Sequence, residues 1–340
     1  MTADPTVPDP SVVLELVSAF RKSKVLFAAC ELGVFDALKQ GSTSAVELAG
    51  TLNCHPDALE RLLGAAVMLG LLTQVDGRFE NTPAATAYLT TASPRRMLGY
   101  INYSSAVLWK MWDNLPGAIV EGTHRWKQTY DLDGAIFSHF FRTDWQRREF
   151  IQGMHAYGLI SSPRVVDAVD LGRFHTFADL GGATGHLTVA ACRRWPNLRG
   201  VVFDLNEVIP ITKEFIPADV AARIDVIGGD FFADELPKAD VYSLGRIIHD
   251  WSEPKIKLLL GKIYNALPIG GAVLIAEKVL DDSKASPEWA VLQHLNMLTV
   301  AEGKERTRAE YAELLQAAGF ADVTCQRTDS PLDAVMGVKR

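Results

Sequence analysis

The chain has 340 residues, of which 48% are hydrophobic and 22% charged, a balance that excludes a disordered or fibrous protein and a length that allows two domains with sizeable cores. Its formal net charge of -7 argues against nucleic acid as the main partner, since neutralising phosphates needs clustered Lys and Arg; small molecules are the expected ligands. Cys30, Cys54, Cys192 and Cys325 form no CxxC pair and no Cys/His cluster at metal spacing, so they read as reduced core residues and no metal is expected.

The start, MTADPTVPDPSVV, has Asp and Pro where a signal peptide needs a basic start and an apolar run. No window approaches about eighteen uninterrupted apolar residues, so a cytoplasmic protein without a membrane partner is expected. SVVLELVSAFRKSKVLFAACELGVFDAL then repeats apolar residues at spacings of three and four, which predicts amphipathic helices broken at Gly33. TSAVELAGTLNC and HPDALERLLGAAVMLGLL predict two short helices, with Pro56 near the start of the second, and TQVDGRFENTPAATAYL predicts a hairpin turning at Asp76-Gly77.

That order is a winged helix. The helix in the reading position carries Asp57 and Glu60 beside Arg61 and is otherwise apolar, which suits burial against a second subunit better than DNA. The stretch from 94 to 165 is helical in pattern and rich in aromatic and Met residues, from Tyr103 and Trp109 to Met154 and Tyr157. Each is a core candidate, and together they could line a pocket for a flat ligand.

From 174 the pattern changes to short apolar runs separated by helices: HTFADLGG, RGVVFDL, IDVIGGDFF, ADVYSLGRIIHDW and GGAVLIAEKVL. Continuous rather than alternating runs mean strands buried on both faces, hence a doubly wound, mainly parallel α/β sheet. ADVTCQRT and LDAVMGVKR predict a closing hairpin.

In such a sheet ligands bind at the carboxyl ends of the strands. Gly181, Gly182 and Gly185 follow the first strand and open a helix, so the backbone can turn tightly beside a ligand. Asp204, about twenty residues on, is placed for ribose hydroxyls, which also fits a nicotinamide dinucleotide. Asp230 and Phe231, closing VIGGDFF, would flank a nucleobase. Asp179 before the glycines, with a spacing that is no clean GxGxxG, speaks against pyrophosphate.

DLGGATG, FDL, GGDFF, RIIHDW, PIGGAVLIAEKVL, LNML and EGKERT occur in this order. In that respect, and over nearly its whole length, the chain resembles S-adenosylmethionine-dependent O-methyltransferases of the plant caffeate and flavonoid type, including their acetylserotonin and bacterial natural-product branches. The resemblance implies a class I methyltransferase, Rossmann-like fold behind an N-terminal winged-helix dimerisation domain. The implied division is dimerisation over 1–110, a helical linker lining the substrate pocket over 111–165, and cofactor binding and catalysis over 166–340.

The resemblance also implies S-adenosylmethionine as cofactor, S-adenosylhomocysteine as product, a homodimer, and a small, flat acceptor with an ionisable phenolic or enolic hydroxyl. His249 takes the place of the general base, bracketed by Glu277 and Glu305. Gly181, Gly182, Asp204, Gly229, Asp230, Phe231, Arg246, Phe141 and Met154 fall at cofactor positions, and Asp250, Asn296 and Met154 at substrate positions. Val300 and Gly158 depart from the acetylserotonin branch, where a glutamine and a pocket tryptophan stand. The rival readings are an N- or S-methyltransferase of the same fold, a non-catalytic S-adenosylmethionine-sensing winged helix, and a nicotinamide oxidoreductase.

Overall fold

The structure, a computed structural model, describes residues 8–133 and 143–340 and divides into two compact units, one ending at Ala106 and one starting at Val107.

In the first unit, helix α1 (Ser11–Glu31) ends where Gly33 takes a left-handed φ of 74°, and a short α2 (Val34–Ala37) follows. The strand β1 (Thr43–Ser44) leads into α3 (Ala45–Leu52), whose start is closed by a reciprocal Ser44/Glu47 capping box. Helix α4 (Pro56–Met68) begins on its proline, whose missing N–H costs nothing at that position. Strands β2 (Leu72–Val75) and β3 (Arg78–Asn81) pair antiparallel. Asp76 and Gly77 between them both have positive φ, as a two-residue hairpin of matching twist requires.

β1 joins β3, giving the order β1-β3-β2. Ala29, Phe35, Leu48, Leu63, Leu72 and Phe79 form the core beneath this winged helix. Helices α5 (Pro83–Tyr88) and α6 (Leu98–Tyr103) complete the unit. Val12, Val13, Leu14, Leu16, Val17 and Phe20 on α1 remain exposed.

The second unit is built on seven strands: β4 (Thr176–Leu180), β5 (Arg199–Asp204), β6 (Ile224–Gly228), β7 (Val241–Gly245), β8 (Ala272–Glu277), β9 (Ala321–Gln326) and β10 (Asp333–Val338). They lie in the order β6-β5-β4-β7-β8-β10-β9. The first five are parallel, and β10 runs antiparallel between β8 and β9. The chain order reverses at β4, whose neighbours β5 and β7 lie on opposite sides, so the crevice for a ligand opens above the carboxyl end of β4.

Helices α7 (Trp109–Asp113), α8 (Leu115–Glu121), α9 (Trp126–Tyr130) and α10 (Asp144–Asp167) precede the sheet. α11 (His186–Arg194), α12 (Ile209–Phe215), α13 (Ala218–Ala221), α14 (Glu253–Ala266), α15 (Glu288–Val300) and α16 (Arg308–Ala317) alternate with its strands. One core cluster joins Tyr242, Leu244 and Ile275 to Leu260, Met297 and Tyr311, and another joins Phe177, Val241 and Leu274 to Val165 and Leu187. Among the described residues no helix is long and apolar enough to cross a membrane.

Candidate active site

The turn after β4 is held by its own backbone: Gly181 N–H donates to the Phe203 carbonyl (2.8 Å) and Gly185 N–H to the Gly182 carbonyl (2.7 Å). Gly181 and Gly185 have φ of 69° and 74°, conformations that glycine adopts without penalty. A Cβ on Gly181 would stand 2.5 Å from Ile247 Cδ1, and one on Gly182 would stand 2.9 Å from Asp179 Oδ2. The turn is therefore pressed between β5 and the loop after β7.

Asp179 is buried, accepting from Ser243 Oγ at 2.6 Å and Thr188 Oγ1 at 3.3 Å. Burial outweighs these bonds and pushes its carboxyl up to about 7. Asp204 accepts the Ala183 N–H at 2.8 Å and its neighbour Leu205 N–H at 2.7 Å, and burial raises it to about 6.

The end of β6 converges on the same turn. Gly229 lies against the Phe203 ring, which a Cβ would meet at 2.5 Å, and Phe231 Cε1 lies 3.5 Å from where a Gly181 side chain would begin. Asp230 accepts the Phe232 N–H at 2.8 Å. From α14, Lys262 Nζ donates to the carbonyls of Phe231 (3.0 Å), Phe232 (3.3 Å) and Asp234, tethering this loop by its main chain. Carboxylates stand at the ends of β5 and β6, an acceptor set that suits ribose hydroxyls and an adenine amine and repels a pyrophosphate.

After β7, Arg246 N–H donates to the Ala276 carbonyl at 3.1 Å, extending the β7–β8 ladder by one step. Arg246 has a positive φ of 58°, and its guanidinium stands 5.6 Å from the centre of the Tyr157 ring. Met154, half-buried, is one helical turn before Tyr157 on α10. Phe141 lies outside the described residues.

The chain then enters a tight turn, Ile248–Asp250, that buries His249 to 4% exposure. Its Nδ1 is 2.6 Å from Glu305 Oε1. Glu277 reaches the backbone instead of the ring: Oε1 accepts the N–H groups of Ile247 (3.0 Å) and His249 (3.1 Å), and Oε2 accepts the Tyr311 hydroxyl. The two glutamates that the sequence places as a bracket thus work at different atoms, one on the imidazole and one on the loop that presents it.

His249 Nε2 lies 3.8 Å from Asp250 Oδ1. Burial alone would lower the imidazole pKa, but Glu305, Asp250 and Glu277 together raise it to about 9. Burial also raises Asp250 to about 6, and raises Glu277. Donor atoms of His249, Glu277 and Glu305 lie within 4.8 Å of one another, close enough to gather round a cation. Hydrogen bonds from protein groups already engage both oxygens of Glu277 and one of Glu305.

Asn296 and Asp250 are both half-buried, and Asn296 Oδ1 accepts from Trp112 Nε1 at 2.9 Å. Val300 is 5% exposed and packs in the core, its carbonyl accepting from Trp126 Nε1 at 2.8 Å. Sequence reasoning missed Tyr311, and it missed Gly303, where a Cβ would come 2.4 Å from the His249 carbonyl and 2.6 Å from that of Trp251. Gly303 was visible in EGKERT as a glycine beside the glutamate; nothing in the sequence marked Tyr311.

A parallel sheet closed by an inserted antiparallel strand, carboxylates at the ends of β5 and β6, and a buried histidine–glutamate pair after β7 define a class I methyltransferase. Residues 112–321 match the O-methyltransferase domain, and residues 14–91 match the O-methyltransferase dimerisation domain. Acetylserotonin O-methyltransferase of Bos taurus is 37% identical over 337 residues, 97% of each chain. The crystal structure of human N-acetylserotonin methyltransferase in complex with S-adenosylmethionine superposes with a TM-score of 0.92 at 33% identity, covering 99% of both chains. That of N,N-8-amino-8-demethyl-D-riboflavin dimethyltransferase (RosA) from Streptomyces davawensis gives 0.83 at 26%, covering 98% of this chain and all of that one. The chain belongs to the O-methyltransferase family and is an S-adenosylmethionine-dependent enzyme.

Proposed function

We propose that the enzyme methylates the ionisable hydroxyl of a small, flat, partly apolar acceptor, a phenol or enol, with His249 as general base. The observation that carries this reading is the 2.6 Å pair between Glu305 and His249 Nδ1. With Nδ1–H donating to the carboxylate, Nε2 is left as the proton acceptor, and Glu305 stabilises the imidazolium that forms. Glu277 holds the loop in place through its backbone. Asp250 and Asn296 contact the acceptor.

The cofactor supplies a methyl group already activated by its positive sulfur. For the protein there remain alignment of the oxygen and removal of its proton. We assign Gly181 and Gly182 to the amino-acid end of the cofactor, Asp204 to the ribose, and Gly229, Asp230 and Phe231 to the adenine, with Arg246 and Met154 completing the pocket. The exposed apolar half of α1 and the match to a dimerisation domain support a homodimer joined through the N-terminal unit.

The RosA neighbour, named as a dimethyltransferase of an amino compound, favours nitrogen as a second reading. A panel of phenols, enols, amines and aliphatic alcohols, assayed with labelled cofactor, separates the two: phenol or enol turnover is expected, and turnover of amines or aliphatic alcohols alone would sink the hydroxyl reading. His249→Ala should lose at least about a hundredfold in kcat and keep its cofactor affinity. Asp204→Ala should lose the affinity, measured by calorimetric titration.

A further inference from the structure

His186 is the first residue of α11, directly after Gly185 and above the carboxyl end of β4. Three residues of α10 at helical spacing, His155, Gly158 and Ser162, meet this turn. His155 Nδ1 is 2.8 Å from Thr184 Oγ1, and Ser162 Oγ is 2.8 Å from His186 Nδ1. Between them, a Cβ on Gly158 would stand 2.2 Å from Cγ and Cδ2 of His186 and 2.4 Å from its Nδ1, so the face of the imidazole fills the place of a side chain at 158. The glycine that departs from the acetylserotonin branch is thus the seat of a ring delivered from the neighbouring helix.

The residue is half-buried. Burial, the nearby His155 and the Arg246 cation hold it neutral, with its pKa pushed down to about 3. In the tautomer where the Ser162 hydroxyl donates to Nδ1, the ring proton sits on Nε2, the nitrogen left for a ligand.

We propose that His186 is a cofactor-site residue: seated on Gly158 and oriented by Ser162, it walls the amino-acid end of the cofactor and donates its Nε2–H to the carboxylate there. This rests on the reading that the 181–185 turn holds that end. A neutral donor at the start of a helix suits an anion, and the helix N-terminus reinforces it. Because the ring does not titrate near neutrality, the contact is independent of pH over the working range.

The test compares two cofactor-derived ligands on the purified enzyme by calorimetry. S-adenosylhomocysteine keeps the amino-acid end, and 5′-methylthioadenosine lacks it. His186→Ala should weaken the first about tenfold, the worth of one hydrogen bond to a charged group, and leave the second within about twofold. In kinetics KM for the cofactor should rise while kcat changes little. Gly158→Ala should give the same pattern by displacing the ring, and the double variant should be no worse than either single one. Unchanged S-adenosylhomocysteine affinity, equal weakening of both ligands, or additive losses would each overturn the proposal. If Asp204→Ala weakens both ligands while His186→Ala weakens neither, only the His186 assignment falls; if Asp204→Ala changes nothing, the cofactor-site reading falls with it.

Discussion

Replacing Glu305 with glutamine keeps the shape of the side chain and removes the charge 2.6 Å from His249 Nδ1. A rise of the imidazole from 6.5 to about 9 is worth roughly 3 kcal/mol in favour of the charged ring, so about 1% is neutral at pH 7. Only the neutral ring accepts a proton. In the native enzyme kcat/KM for the acceptor should therefore climb about tenfold per pH unit from pH 6 and level off near pH 9. Glu305 is the largest of the influences that raise this pKa. In Glu305→Gln the half-maximal pH should fall by about one to two pH units. The plateau should drop by about ten- to a hundredfold, because the imidazolium formed in the reaction loses its counter-charge. The two profiles should converge near pH 6 and diverge at pH 9. Initial rates with labelled cofactor from pH 5.5 to 10 measure this directly. A variant depressed by one constant factor at every pH, with its midpoint unmoved, would refute the assignment of Glu305 as the charge that tunes the base.

Tyr311→Phe preserves the core volume but strips the hydroxyl from Glu277 Oε2, and should cost about 1–3 kcal/mol of unfolding free energy in a denaturant titration. Gly303→Ala drives a Cβ to 2.4 Å from the His249 carbonyl; turnover should fall at least about tenfold while calorimetric cofactor affinity holds. In the ligand-free protein Asp179, Asp204, Asp250 and His249 are all raised, to about 7, 6, 6 and 9. Each contributes stability that is present below its unfolded pKa and lost as pH rises through its folded one, so the melting temperature should be lower at pH 9 than at pH 6. Dialysis against a strong chelator should leave turnover unchanged; a loss restored by a divalent cation would show that the His249, Glu277 and Glu305 group holds a metal in the working enzyme.

Much of the scaffold was legible because its signals are local. Asp76-Gly77 announces a hairpin through the two positive φ values that it accommodates, and Pro56 marks a helix start through its missing N–H. The unbroken apolar runs HTFADL and AVLIAE read as buried parallel strands because both of their faces are covered, whereas IDVIG, expected to be buried likewise, forms the edge strand β6 and is largely exposed. The two-residue β1 carries no such pattern, and only its partner β3 defines it. Of the site, the glycine turn and Asp204 could be placed from strand ends. The base could not: Glu305 lies 56 residues from His249, and Glu277 lies 28, so their meeting was readable only through resemblance. Resemblance in turn could not show that Glu277 grips the main chain, because that depends on where β8 ends relative to β7. For Gly158 the residue was visible, but its partner His186 sits on another helix.

The register of β7 against β8, with Gly245 opposite Ala276, decides more than the sheet's stability. Glu277 is the next residue along, and its carboxylate grips the backbone of residues 247 and 249. Side chains in β8 alternate between faces, so inserting or deleting a single residue there would turn the carboxylate away from the loop it anchors, and doing so between 245 and 249 would move the N–H groups it accepts from; either would uncouple His249 from Glu305. Length is thus frozen along this short arc of chain. Met154 and Asn296, proposed above to meet the acceptor, lie on helices α10 and α15, whose side chains can be exchanged without disturbing that spacing. A redesign of acceptor preference therefore has room in substitutions on those helices and none in insertions or deletions near the proton acceptor.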